Sequence, residues 1–484
     1  MERTLKNYVG GSWVEAVGRE TLPLVNPATG ASLGRVPLSV REDVRRAVDA
    51  AQKAFPAWRE TPVLERSRFM FRWKELMEKR FEDLARCVTI EHGKTLSESR
   101  GSVRRGIENL EVAAGMPSLM MGESLEDISR GIDCETIRQP LGVFAAIAPF
   151  NFPAMVPLWF LPYAITTGNT FIVKPSEQVP LSQELTFQIL EEVGLPPGVV
   201  NLVHGGRDVV DALCTEQGIV GVSFVGSTPV AKHVYVTGTQ AGKRVQALGG
   251  AKNFVVVMDD CDLARTVPIL TESCYGCAGE RCLAGSTVVA VGDVYGRLRE
   301  ALHEHARRIV VGDGLDDGVD MGPVVSRRHM DRVLGYIQKG IDEGAKLTLD
   351  GRNPKLPPGL EKGNFIGPCI FEDVTPEMTI AREEIFGPVM VLRRAKDLDE
   401  AISIIHASEY ANATSIFTQS GKHAREFRYR AGVSMIGVNI GVAAPMSFFP
   451  FGGAKSSFFG DLKAHGKDSL RFYTDQKVVI SRWF

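Results

Sequence analysis

The chain has 484 residues, 44% of them apolar and 24% charged, with 56 basic residues against 58 acidic ones. At roughly 150 residues per domain this is ample material for two or three buried cores. A net charge of −2 excludes nucleic acid as the main partner, because phosphate binding shows as a basic surplus. The 49 glycines scattered among alternating apolar runs exclude a coiled coil or a disordered chain.

The opening Glu2-Arg-Thr-Leu-Lys-Asn-Tyr8 lacks the basic-then-apolar layout of a secretory signal. Between Arg138 and Lys174 there is no Asp, Glu, Lys or Arg, but Pro140, Pro149, Pro153, Pro157 and Pro162 interrupt the stretch. It therefore predicts buried strand, loop and helix start, since a membrane span needs roughly 20 uninterrupted apolar residues. The 8 cysteines are irregularly spaced and make no disulfide framework, so a reducing cytoplasm is the expected compartment. The Asn412-Ala413-Thr414 sequon carries no meaning there.

In chain order, Ser39 stands as a helix N-cap before Val44, Val48, Ala51 and Phe55 at helical spacing. Thr61-Pro62 then opens a second amphipathic helix running through Phe69, Trp73, Leu76 and Phe81. From Val143 the texture changes. Short apolar runs at Val143–Ile147, 170–173, 199–203 and 220–224 alternate with helical segments ending at glycine, such as Leu181–Val193 before Gly194. Buried parallel strands with crossover helices have this texture. The alternation restarts after Gly250, with strands at 253–258, 286–291, 389–393 and Ala413–Phe417 and a helix over 294–308. Two α/β lobes meeting near Gly249-Gly250 are the minimal reading. The last segment, 471–482, alternates as a strand, and an exposed terminal strand needs a partner. Pairing with another subunit is the expectation, with docking in the same chain as the alternative.

Several residues have chemistry to offer. Cys274, Cys277 and Cys282 lie close together, but no second cysteine or histidine pair stands at zinc-finger spacing, so no metal is expected. Cys282 differs from the other two, because Arg281 and glycines surround it, and a neighbouring cation lowers a thiol's pKa. Asn151, between Phe150 and Phe152 and flanked by Pro149 and Pro153, reads either as an oxyanion donor or as a turn former. Lys174 and Glu177 follow a strand, where open α/β sheets bind ligands; a glutamate there suits ribose hydroxyls and repels a 2′-phosphate. Gly226 and Ser227 leave another strand and are suited to a pyrophosphate at a helix start.

Together these segments resemble the aldehyde dehydrogenase superfamily nearly end to end. The resemblance rests on Pro149-Phe-Asn-Phe-Pro153, Lys174-Pro-Ser-Glu177, Gly194-Leu-Pro-Pro-Gly-Val-Val-Asn201, Phe224-Val-Gly-Ser-Thr228, Gly249-Gly250, Gly279-Glu-Arg-Cys282 and Glu383-Glu-Ile-Phe-Gly-Pro-Val389. It implies two Rossmann-like α/β lobes plus a small β oligomerisation element. Residues 1–120 and 141–250 would bind NAD, 251–465 would be catalytic, and 121–140 with 466–484 would join subunits into a homotetramer, a dimer of dimers. It implies Cys282 as nucleophile and Asn151 as oxyanion donor. Lys174 and Glu177 would hold the adenosine ribose, Gly226 and Ser227 would lie by the pyrophosphate, and Glu384 would hold the nicotinamide ribose. Phe150 and Phe386 would pack against the cofactor.

One departure decides the subfamily. Hydrolytic members carry a glutamate before Leu-Gly-Gly that activates water, whereas here that position is Ala247. A general base contributes about 10²- to 10⁴-fold, so hydrolysis of an enzyme thioester should be slow. A thiol acceptor is already partly ionised at neutral pH and needs less help, so coenzyme A is the expected co-substrate. Ala247, the Gly-Ala-Lys-Asn segment, Phe150 and the Ser-Phe-Phe-Gly-Asp-Leu run resemble the CoA-acylating methylmalonate-semialdehyde dehydrogenase branch. That branch holds its substrate carboxylate with two arginines, which map to Arg105 (beside Arg104) and Arg281. The expected reaction is oxidation of malonate or methylmalonate semialdehyde to acetyl-CoA or propionyl-CoA with loss of CO₂. Phe254, where the branch usually has His, leaves room for another short aldehyde. A hydrolytic dehydrogenase of succinate-semialdehyde or betaine-aldehyde type and a catalytically silent structural relative are the competing readings.

Overall fold

A computed structural model describes residues 2–484. Its eight-stranded sheet runs in the order Phe458–Phe459, Arg244–Leu248, Ile219–Val225, Val143–Ile147, Thr170–Lys174, Val200–Leu202, Asn7–Val9, Ser12–Val14. The strands from 244–248 across to 200–202 are parallel, and antiparallel strands close both edges. Val143–Ile147 is buried throughout because alternate side chains enter different cores. Phe144 and Ala146 pack with Met70, Trp73 and Ile107, while Val143, Ala145 and Ile147 pack with Val44, Ala47 and Val48. A strand covered by helices on both faces must read as a continuous apolar run, and each large side chain so buried contributes about 1.5–3 kcal/mol.

The second sheet has seven strands, in the order Lys346–Leu349, Cys369–Glu372, Val389–Ala395, Thr287–Val291, Phe254–Val257, Ala413–Phe417, Met435–Val438. All pairs but the first are parallel. Register explains how the two sheets meet. Ile147 pairs with Lys174 and Val225 with Leu248, so four strands of the first sheet end together, Phe224 standing opposite Ile147. In the second sheet Phe254, Thr287 and Thr414 stand side by side at the strand starts. Asn151, Glu177, Gly226 and Gly249 therefore follow one sheet's carboxyl edge, while Asn253, Cys282, Glu384 and Asn412 precede the other's amino edge.

Local boundaries depart from the sequence reading in three places. The first helix, Arg41–Glu60, starts after Val40, whose N–H donates to Asp43 at 2.9 Å; Ser39 instead accepts a bond from the Asn7 amide. The second helix, Val63–Lys79, begins after Pro62 and stops at Arg80, and Phe81 opens a new helix, Phe81–His92. Residues 471–473 end the helix Gly466–Tyr473 because Phe472 and Tyr473 pack on Phe144, with ring centroids 5.7 and 4.9 Å away. The terminal strand is Thr474–Arg482, and all nine of its residues pair antiparallel with Ile132–Pro140 of the same chain. The partner expected from another subunit is thus supplied in cis, which completes a three-stranded sheet with Ser124–Ser129. Among the described residues no helix is long and apolar enough to cross a membrane.

Candidate active site

Cys282 sits just beyond a strained turn. The helix Leu263–Tyr275 ends at Gly276, and Cys277, Ala278 and Gly279 follow with φ of 52°, 51° and 75°. Consecutive left-handed residues with side chains cost of order 1–3 kcal/mol each and persist only when neighbours enforce them. Here the Cys277 N–H donates to Glu98 Oε1 at 2.6 Å. A Cβ at Gly279 would stand 2.1 Å from the carbonyl oxygen of Gly387. Beyond the turn, the Cys282 carbonyl accepts from the side-chain amides of Asn253 at 2.8 Å and Asn412 at 2.9 Å. The Cys282 thiol is not lowered as its neighbour Arg281 had suggested. Burial, reinforced by the charge of Glu384, pushes it up to about 12 against the opposing pull of Arg281 and backbone N–H groups. Among the described residues no group of three or more His, Cys, Asp or Glu could hold a metal ion.

Asn151 faces this turn from the other sheet. Its Nδ2 donates to the Glu280 carbonyl at 3.0 Å, which fixes the amide plane and leaves the second N–H. Its own carbonyl accepts from Lys94 Nζ at 2.5 Å, and that ammonium lies 3.8 Å from the centre of the Phe152 ring. The Glu280 side chain is fully buried; burial holds its acid well above the carboxylate range, and Oε1 accepts from the Val325 N–H at 3.1 Å.

Lys174 is buried and pairs with Glu177 at 3.0 Å. Burial would raise the Glu177 carboxyl, but Lys174, its own backbone N–H and Arg328 together hold the group below its ordinary value. Ser227 is the residue before the helix Thr228–Gln240, is exposed, and makes no side-chain capping bond. Glu384 reaches across from the second sheet, where its Oε1 accepts from the Ala251 N–H at 2.9 Å. A Cβ at Gly250 would meet Glu384 Oε2 at 2.4 Å, so a larger residue there would push this carboxylate aside. Arg332 holds the Glu384 and Ile385 carbonyls at 2.9 and 3.0 Å, and Lys252 holds those of Ile380 and Glu383 at 2.7 and 3.0 Å. Burial raises Glu384 to about 7. Phe150 and Phe386 meet edge to face at 5.7 Å, and His329 Nε2 lies 2.7 Å from the Phe386 carbonyl oxygen. Phe386 itself has φ of 60°.

A cavity of about 350 Å³ opens on Cys282 and brings Arg281 and Arg105 to its wall. Arg281 spends one N–H on Cys277 Sγ and another on Glu98 Oε1, both at 3.3 Å. Arg105 donates to the Pro445 carbonyl at 2.6 Å. Its neighbour Arg104 instead forms a bidentate pair with Glu78 at 2.6 and 2.8 Å on the exposed helix face. Lys174, Glu177, Gly226 and Ser227 lie apart from this cavity, beyond the sheet edge. Ala247 also stays outside it, fully buried in an apolar cluster with Val222, Phe224 and Phe459.

The aldehyde dehydrogenase family model matches residues 13–479. The chain belongs to the aldehyde dehydrogenase family. It is 51% identical over 479 residues to malonate-semialdehyde dehydrogenase 1 of Geobacillus kaustophilus, covering 99% of this chain and 98% of that one. Malonate-semialdehyde dehydrogenase 2 of Bacillus mycoides is 49% identical, with 99% of each chain covered. A Sinorhizobium meliloti structure assigned as a methylmalonate-semialdehyde dehydrogenase and complexed with NAD superposes with a TM-score of 0.98 at 42% identity, covering 100% of this chain and 98% of that one. The methylmalonate-semialdehyde dehydrogenase of Oceanimonas doudoroffii gives 0.97 at 45% identity, covering 99% and 98%.

This aldehyde dehydrogenase holds its site with residues that sequence reasoning passed over. Lys252 and Asn253 lie inside the Gly-Ala-Lys-Asn segment, whose letters do not show these contacts. Lys94, Glu98, His329, Arg332 and Asn412 act from distant elements and carry no local signal.

Proposed function

We propose that the chain catalyses the NAD-dependent, CoA-acylating oxidation of malonate or methylmalonate semialdehyde, yielding acetyl-CoA or propionyl-CoA and CO₂. The observation that carries this is the one cavity bringing Cys282 together with Arg105 and Arg281, with Glu98 committed to the protein and Ala247 at the position of the hydrolytic members' glutamate. Of the acids on its wall, Glu98 is occupied by the N–H groups of Cys277 and Thr95 and by Arg281, and Glu272 lies exposed. The names of the relatives point the same way.

Cys282 Sγ, once deprotonated, attacks the aldehyde carbon and forms a C–S bond. The free N–H of Asn151 and the backbone N–H of Cys282 receive the resulting oxyanion, an interaction worth about 2.7–4 kcal/mol in comparable sites. The Glu280 carbonyl holds that side-chain amide, and Lys94 holds the Asn151 backbone carbonyl. Bound NAD would supply the hydride acceptor. The residues fit it: the Lys174–Glu177 pair suits unphosphorylated ribose hydroxyls, the uncommitted Ser227 suits a pyrophosphate, and Glu384 suits the second ribose. Departure of hydride leaves a thioester on Cys282. Its β-carboxylate leaves as CO₂ because the thioester carbonyl takes up the electrons, and the carbanion formed takes a proton. A CoA thiolate then attacks the acyl carbon and releases Cys282.

In the same reading the half built on 1–120 and 141–250 carries NAD, and 251–465 carries the nucleophile. The sheet of 124–140 and 474–482 joins copies into a tetramer; its exposed Leu125, Ile137, Val478 and Ile480 suit burial against another copy. The eight free thiols suit a reducing cytoplasm. The test is NADH formation from methylmalonate semialdehyde and NAD with and without CoA, together with detection of propionyl-CoA. Equal sustained turnover without CoA rejects acylation.

A further inference from the structure

The cavity holds a polar residue that neither the family resemblance nor the mechanism uses. His465 lines the wall shared with Cys282 and Arg105. It is 3% exposed, and both of its ring nitrogens are buried without a hydrogen-bond partner. Its ring stands edge-on to Trp159 at 4.9 Å and leans on Phe451 at 5.6 Å, so the surroundings are aromatic and offer nothing to an N–H. The backbone is shaped to put it there: His465 has φ of 72°, a left-handed conformation that a side chain rarely adopts, directly before the helix Gly466–Tyr473. The Gly466 N–H donates to the Ser447 carbonyl at 3.1 Å and anchors the turn against the cavity wall.

A buried imidazole with neither nitrogen satisfied is a standing cost unless a ligand supplies the missing acceptor. The two guanidinium groups in the cavity leave room for one. Arg281 is already bonded to Glu98 and Cys277, and Arg105 to the Pro445 carbonyl. A carboxylate offers about four lone-pair directions, so it can accept from an imidazole N–H as well as from both guanidinium groups. The volume of about 350 Å³ also reaches the size of pockets that take drug-sized ligands. A three-carbon substrate is therefore not selected by the walls and must be fixed by donors.

We propose that His465 is a specificity-determining residue whose imidazole N–H acts as a third donor, beside Arg105 and Arg281, to the carboxylate of an acidic aldehyde. The inference rests on the acidic-substrate reading above. Burial, aided by the charge of Arg105, lowers the imidazole to about 3, so it arrives neutral, with one N–H to give and one lone pair left over.

The experiment compares alkylation of Cys282 by iodoacetate, which carries a carboxylate, and by neutral iodoacetamide in the full chain and in two variants. His465→Phe keeps the aromatic packing and removes the donor, while His465→Gln keeps an N–H. The wild type should favour iodoacetate relative to the ratio shown by free cysteine. His465→Phe should lose roughly tenfold of that preference, the usual weight of a hydrogen bond to a charged group, and His465→Gln should keep most of it. With NAD and CoA, kcat/KM in His465→Phe should fall about tenfold more for malonate semialdehyde than for propanal, mainly through KM. An unchanged iodoacetate preference in His465→Phe overturns the proposal, as does an equal loss for both alkylating agents, which marks a structural role. If His465→Phe does not fold, His465→Met replaces it under the same criteria. A wild type that shows no preference for iodoacetate overturns the acidic-substrate reading and this inference with it. A wild type that prefers iodoacetate, loses that preference in His465→Phe, and yet does not oxidise malonate semialdehyde supports His465 while rejecting the proposed substrate.

Discussion

The acidity of Cys282 in the unliganded chain is open to a direct test. Burial beside Glu384 pushes the thiol up to about 12. At pH 8 a free thiol of pKa about 8.5 is roughly one-quarter thiolate, while a group at about 12 is about 10⁻⁴ ionised. The more basic thiolate is the stronger nucleophile, and a Brønsted coefficient of about 0.4–0.5 recovers roughly 40-fold of that deficit. Alkylation of Cys282 by iodoacetamide at pH 8 should therefore run roughly 60-fold slower than that of free cysteine. The rate should rise about tenfold per pH unit from 7 to 10 with no plateau, because the ionised fraction stays small throughout. Quenched time points, with the modified Cys282 peptide quantified by mass spectrometry, read this directly. A plateau below pH 9, or a pH 8 rate matching free cysteine, would refute the reasoning. It would mean that Arg281 and the backbone N–H groups outweigh burial in the free enzyme.

Other outcomes follow from the same contacts. Asn253→Ala removes the donor to the Cys282 and Ala284 carbonyls and the acceptor of the Ala413 N–H. The two carbonyls keep Asn412 and the Ser286 N–H, so the cost is that of the stranded Ala413 N–H, about 1–3 kcal/mol, read as a lower urea midpoint together with reduced kcat. Arg105→Gln should raise KM for an acidic aldehyde about tenfold or more, whereas Arg104→Gln, which breaks an exposed pair with Glu78 and a stacking contact on Phe81, should move it less than about twofold. Glu384 is raised to about 7 by burial, and in the proposed ribose site its ionised form is the better acceptor for two hydroxyls. NAD affinity measured by titration should therefore strengthen as pH rises through 7, and Glu384→Gln should flatten that dependence. The sign for stability is opposite: folding favours the protonated acid, so its contribution is fullest below the unfolded value near 4.5 and is lost as pH rises through about 7.

Most of the α/β scaffold could be read locally, because a strand buried on both faces must be apolar throughout. Val143–Ile147, Leu181–Val193 before the left-handed Gly194, and Ala413–Phe417 stand where the sequence placed them. What escaped depends on distance along the chain. Ser39 has the right side chain for an N-cap, but Asn7 takes its hydroxyl and Asp43 caps the helix instead. The left-handed run through Cys277 and Ala278 is held by Glu98, which accepts from the Cys277 N–H, and neither residue type announces it. Arg281 beside Cys282 pointed to an acidified thiol, yet burial is a tertiary quantity that adjacency does not reveal. Arg104 and Arg105 are equivalent as letters, and only the helix rotation that gives one to Glu78 and the other to the cavity separates them. His465 was invisible for the same reason, since its neighbours Trp159 and Arg105 lie more than 300 residues away.

Asn412 heads a glycosylation sequon, and in the folded chain its side chain is buried with its amide nitrogen on the Cys282 carbonyl. An oligosaccharide attached at that nitrogen would take away the donor and insert a bulky polar group between two strand starts. Recombinant production through a eukaryotic secretory route would therefore set sugar transfer in competition with folding, and every molecule modified first would emerge with its Cys282 loop unsupported. Expression hosts that lack this modification, or an Asn412→Gln substitution, avoid that competition, the second at the expense of one of the two amides that hold the loop.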